Sequence, residues 1–141
     1  MLHIWVASEV ATALLEASLR ADGVDSSFYG TLSLIGAFGP MTPSELAERS
    51  GSPPTTVTDR VRRLVEKGDV ERVPNPEDGR SHLLRLTKRG DAEWRRGWPA
   101  LRKTNNEIAK HLHRPVAEVD EMLQELIEAA EQATRNLNTI S

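Results

Sequence analysis

The chain has 141 residues, 38% of them hydrophobic and 28% charged, enough to build one core and too apolar for a disordered segment. It contains no cysteine and no unbroken apolar run of membrane-spanning length, and its start lacks the basic stretch of an export signal. Disulfides, thiolate chemistry and cysteine-liganded zinc are excluded, and a cytoplasmic chain with no membrane partner is the expectation.

Residues 3–21 carry no proline or glycine and place Ile4, Val6, Val10, Ala13, Leu14, Ala17 and Leu19 at three- and four-residue intervals, which predicts a helix. After turn chemistry at Ala21–Ser26, the apolar residues Phe28, Leu32, Leu34 and Ile35 predict a second helix ending near Gly39-Pro40. Thr42-Pro43-Ser44-Glu45 then reads as an N-cap, a first-turn proline and the glutamate of a capping box, opening a short helix that stops at Ser50-Gly51. Ser52 is a second cap candidate ahead of a helix that Gly68 ends.

At about 100° per residue, Val57, Val61, Leu64 and Val65 share one arc of that helix, while Thr55, Thr56, Asp59, Arg62 and Arg63 point the other way. This is a helix-turn-helix pattern with a polar, mostly basic outer face, although a solvated amphipathic helix has the same periodicity. Val70–Val73 and His82–Leu86 read as two short strands around a polar tip, Pro74–Ser81. Asp78-Gly79 tolerates positive φ at a tight turn, and Arg80 can project into a narrow, negatively charged minor groove. The pieces assemble into a mainly α fold with a small β-hairpin, a winged helix-turn-helix. Charge is distributed to match: residues 54–103 hold 13 basic and 8 acidic side chains, whereas 1–53 hold 2 and 6 and 104–141 hold 3 and 7. A basic middle between acidic flanks suits an anionic partner.

From about Leu32 to Gly90 the chain resembles the MarR family of bacterial transcriptional regulators. The resemblance is carried by Thr42–Ala47, by Val57-Thr58 with Leu64 and Lys67-Gly68, by Val70-Glu71-Arg72, by Asp78-Gly79-Arg80 and by Leu86–Gly90. It implies a winged-helix DNA-binding domain over 26–90 and dimerisation helices over 1–25 and 91–141. The recognition helix would span about 53–67 and the wing about 74–81. Residue by residue, it implies DNA contacts from Thr55, Thr56, Asp59, Arg60, Arg62 and Arg63, a wing contact from Arg80, and a structural Asp78 paired with Arg72 or Arg80. The partners implied are an operator in duplex DNA and a second copy of the chain. The seam Val116, Val119, Leu123, Leu126, Ala130, Ala133 and Leu137 suits helix pairing.

Two positions depart from the family pattern. Asp59 stands where many relatives place a groove-reading residue, and can either accept from cytosine N4 or hold Arg62 or Arg63 at helical spacing. Asp69 replaces an apolar residue, so the first strand is expected to start one residue later.

Many relatives release DNA when a small aromatic or phenolic anion fills a cleft. Trp5, Phe28, Tyr29, Trp94 and Trp98, with His3, are the wall residues available here, Trp94 and Trp98 lying four apart ahead of a Pro99 kink. Aromatic residues at helical spacing are more often core, so both readings stay open. His111 and His113 point about 200° apart on a helix and cannot share a metal ion. No nucleotide-binding, hydrolase or metalloprotease motif is present in the sequence, and no cofactor or catalytic residue is expected. The expectation is a homodimeric, ligand-responsive repressor; the contrasting reading is a winged helix that docks an acidic protein and binds DNA weakly.

Overall fold

The computed structural model describes residues 2–139, with side chains to Leu137; Met1 and the last two residues of the 91–141 flank lie outside the described residues. The elements run α1 (Leu2–Ala21), α2 (Tyr29–Phe38), α3 (Pro43–Ser50), α4 (Pro54–Glu66), β1 (Val70–Pro74), β2 (His82–Leu86), α5 (Lys88–Arg96), α6 (Trp98–His111) and α7 (Val116–Thr139). They form two compact units, one up to Thr104 and one from Asn105.

Within the first unit, α2, α3 and α4 close a core over the hairpin: Leu32, Ile35, Leu46, Val57, Val61, Leu64, Val70 and Leu84 are all buried. The apolar stripe read from α4 is therefore its inward face, with Val65 half-buried at the margin. β1 and β2 pair antiparallel, Val70 opposite Leu86 and Pro74 opposite His82, and Met41 bridges to Leu84 as a one-residue third strand. A second cluster joins Leu19 and Val24 to Tyr29 and Ala100, with Leu15, Trp94 and Leu101 packed on it.

The local signals act as read at α3. Thr42 Oγ1 accepts from the Glu45 N–H at 3.2 Å and Glu45 Oε2 accepts from the Thr42 N–H at 2.7 Å, a closed capping box. Gly51 ends the helix in the left-handed region at φ 59°, where a side chain is disfavoured.

Four expectations change. Ser52 does not cap α4: Pro53 occupies the N-cap, Pro54 starts the helix, and the Ser52 hydroxyl faces back to the Ser50 carbonyl. Gly79 does not take positive φ, since a seven-residue tip does not demand a tight turn and the carboxylate of Asp78 organises it instead. Trp94 and Trp98 do not share one helix, because Gly97 separates α5 from α6. A Cβ at Gly97 would overlap the ring of Tyr29, whose hydroxyl donates to the Trp94 carbonyl at 2.7 Å, so the break admits the tyrosine. Finally, α1 is long and apolar enough by length and composition to cross a membrane, even though polar residues interrupt its apolar runs.

Asp69 delays the strand as expected, and β1 begins at Val70. Its carboxylate is almost fully buried, 3.1 Å from Arg89 Nε but poorly angled for a hydrogen bond. The second unit consists of the end of α6 and of α7, a 24-residue helix on which Val116, Met122, Leu123, Leu126, Ile127 and Leu137 are exposed.

Candidate nucleic-acid interface

α3 and α4 are joined by Gly51–Pro53, and α4 is about 20 Å long at 1.5 Å per residue, a rod that fits a major groove. With Val57, Val61 and Leu64 buried, the geometry fixes what it shows outward. Thr55 is exposed and Thr56 half-buried at the N-terminal end. Thr58 is exposed as well, its hydroxyl donating to the Pro54 carbonyl at 2.8 Å.

Asp59 binds both neighbouring arginines. Its Oδ1 is 2.7 Å from Arg62 Nη2 and its Oδ2 is 3.0 Å from Arg63 Nε, while Arg62 Nη1 reaches Glu66 Oε1 at 2.7 Å. The hydrogen bond from Arg62, followed by the positive charge of both arginines, holds the Asp59 carboxyl below the usual carboxylate range. Of the two roles left open for Asp59, the structure shows the one that organises arginines. Glu66 was not anticipated, although its i, i+4 spacing from Arg62 is a legible signal.

Arg60 diverges from its expected place. It is half-buried and lines a cleft of about 720 Å³ together with Arg49, and both lie on a wall completed by Ser8, Thr12 and Leu15 of α1 and by Tyr29 and Ser33 of α2. Arg49 also stacks 4.7 Å from the centre of the Phe38 ring. Nothing in the local sequence signals Arg49 as a cleft residue.

At the hairpin, Asp78 Oδ1 accepts from the Arg80 backbone N–H at 3.0 Å, and the Asp78 carbonyl accepts from Ser81 N–H at 3.0 Å. Asn75 Nδ2 donates to Ser81 Oγ at 2.8 Å. Asp78 therefore shapes the tip through backbone groups and not through the expected pairing with the Arg72 or Arg80 side chain. Among the described residues neither guanidinium makes an ion pair, so Arg80 stands exposed at the tip with its charge free.

The base of the hairpin explains Leu86–Gly90, a motif that carried the resemblance without a physical account. Thr87 Oγ1 accepts from Gly90 N–H at 3.0 Å and donates to the Gly68 carbonyl at 2.7 Å, and Arg89 donates to the Lys67 carbonyl. Thr87 thus starts α5 and ties it to the end of α4. Gly90 is required because a Cβ there would overlap the Asp69 carbonyl.

The aromatic candidates do not converge on one wall. Tyr29 alone lines the large cleft; Phe28 packs against the helix-turn-helix core and Trp94 against the second cluster. Trp98 meets Trp94 edge-on at 5.5 Å and carries Arg95 over its face, and Trp5 is exposed on α1, as is His3. Burial pushes the Tyr29 hydroxyl above its ordinary range. No group of His, Asp and Glu able to hold a metal ion occurs among the described residues.

Two helices joined by a tight turn, the second presenting polar side chains, and a hairpin with an arginine at its tip define a winged helix-turn-helix protein. Residues 28–82 match the MarR family model. It is 30% identical over 91 residues to an uncharacterised HTH-type transcriptional regulator of Mycobacterium bovis, a match covering 60% of this chain and 64% of that relative's length. A solved E. coli MarR variant in complex with operator DNA is 28% identical, with a TM-score of 0.72 over 87% of this chain and 89% of that one. The PcaV transcriptional regulator of Streptomyces coelicolor, solved with its natural ligand, is 26% identical, with a TM-score of 0.67 over 94% of this chain and 92% of that one.

Proposed function

We propose that the chain is a cytoplasmic, homodimeric transcriptional regulator, and no enzyme, that represses by occupying a pseudo-palindromic operator. In this reading α4 enters the major groove and the wing reaches the flanking minor groove, the E. coli relative bound to operator DNA being the parallel. The observation that carries it is the polar face of α4 beside an exposed Arg80 that makes no ion pair among the described residues, both on one winged helix. The test is selection from a random duplex pool by the purified protein at physiological salt. Enrichment of an inverted repeat with half-sites about 34–36 Å apart is the expected outcome. Failure of a folded protein to enrich any sequence overturns it.

Arg80→Ala should weaken binding and lower the salt slope by about 1.8, the contribution of one phosphate contact from each of the dimer's two wings. An unchanged slope removes the wing from the interface. The cleft containing Arg49 and Arg60 supports a second element, a small aromatic or phenolic carboxylate as effector, with the arginines supplying charge and Tyr29 an aromatic wall. Thermal shifts against a panel of aromatic acids test it: stabilisation that Arg60→Ala abolishes is the expected result.

The contrasting reading is a winged helix that docks a protein partner and binds DNA weakly, since the pairing of Asp59 with Arg62 and Arg63 lowers the charge available to the DNA backbone. A steep salt dependence on duplex DNA decides against that alternative.

A further inference from the structure

The two arginines on the outer face of α4 are held differently. Arg62 is clamped at both terminal nitrogens, Nη2 by Asp59 and Nη1 by Glu66, each at 2.7 Å. Arg63 is held only through Nε, 3.0 Å from Asp59, and its terminal nitrogens have no partner among the described residues. A guanidinium ion-paired at Nε with its terminal nitrogens open can present them for the paired contact to guanine O6 and N7. One clamped at both ends has to break two ion pairs before it can reach a base or a phosphate. The face as a whole, Asp59 and Glu66 against Arg62 and Arg63, carries no net charge, which weakens sequence-independent attraction to the backbone.

We propose that Asp59 is a specificity-determining positioning residue: it presents Arg63 to guanine and, with Glu66, withholds Arg62 from the phosphates. The proposal rests on the reading that α4 enters the major groove. Asp59 acts through the arginines, so its loss should broaden recognition without abolishing it. Neutral Asn in its place frees Arg62 to bind the backbone phosphates that every sequence offers, and lets Arg63 swing. Glu in its place reaches both arginines across the same turn of helix and restores the arrangement.

The experiment compares full-length wild type, Asp59→Asn, Asp59→Glu, Arg62→Ala and Arg63→Ala, each checked for fold by circular dichroism. Each is used to select from a random duplex pool, and each is titrated with an alternating A·T duplex between about 50 and 200 mM salt. Wild type should enrich a sequence with a required guanine that Arg63→Ala no longer demands and Arg62→Ala still does. Asp59→Asn should relax that position, bind the A·T duplex more tightly and steepen the salt slope by about 0.9 for every additional phosphate neutralised. Asp59→Glu should behave as wild type. An Asp59→Asn protein with the wild-type sequence preference and slope overturns the proposal and leaves the DNA-binding reading intact, as does an Arg62→Ala protein that loses the same guanine as Arg63→Ala. Folded proteins that bind neither pool nor A·T duplex at the lowest salt overturn the DNA-binding reading and the proposal with it.

Discussion

Lys67, the C-cap of α4, is joined to the turn between α1 and α2 by an ammonium-to-carboxylate contact with Asp25 at 2.8 Å, and it stands 5.6 Å from the centre of the Phe28 ring. The hydrogen bond from Lys67, with a second from the Ser27 N–H, lowers the Asp25 pKa from 3.8 to about 2. A carboxyl whose folded pKa lies below its unfolded one stabilises the fold above the unfolded value and loses that contribution as pH falls through the folded one. The window here runs from about 3.8 down to about 2. Both side chains are well exposed, so solvent screening limits the pair to about 0.5–1 kcal/mol. Asp25→Asn should therefore lower stability by that amount at pH 7, with the gap to wild type narrowing below pH 4. Urea unfolding at pH 7 and pH 2.5 measures it, and an equal gap at both values would show that the charge is irrelevant.

At the scale of elements, the joint between the hairpin and α5 depends on the absence of a side chain at Gly90. An added Cβ meets the Asp69 carbonyl, which already accepts the Thr87 N–H at 3.0 Å and cannot retreat without opening the base of the wing. Gly90→Ala should cost about 1–3 kcal/mol or more by overpacking. Gly30, on α2 with open space around its Cβ position, is the control: Gly30→Ala should be neutral or stabilise by up to about 1 kcal/mol. Urea unfolding of both variants separates them, and equal effects would remove the packing account. Position 90 also marks the limit of what the sequence discloses. The capping box at Thr42 and Glu45, the buried stripe of α4 and both strands were legible because their causes lie within a few residues. The half-buried Arg60, the separation of Trp94 from Trp98 and the burial of Asp69 were not, because each is set by a neighbour distant in sequence. Tyr29 is 68 residues from the Gly97 that makes room for it. The wall of the cleft is assembled by the same long-range packing, and Arg49 on it had no local signature.

For the whole molecule, the unsatisfied surface is apolar and lies on both units. In the first, Leu2, Trp5 and Val10 of α1 are each more than 60% exposed; in the second, Met122, Leu123 and Ile127 of α7 are each more than 50% exposed. Contiguous apolar helix faces of this kind are rarely left in water by a stable monomer, and an identical chain offers each face a complementary one. In the homodimer we propose, folding and association are linked, so stability depends on protein concentration by mass action. A tenfold rise in concentration adds about 1.4 kcal/mol to a linked dimer, which for a chain of this size raises Tm by roughly 2–4 °C. Scanning calorimetry across a concentration series, alongside sedimentation equilibrium, reads both quantities. Leu123→Glu with Ile127→Glu should shift the mass toward the monomer and flatten the concentration dependence, because burying two new carboxylates against an apolar partner is opposed by desolvation. A wild-type chain that sediments as a monomer at micromolar concentration with a fixed Tm would overturn the dimer. A two-fold operator would then have no two-fold reader.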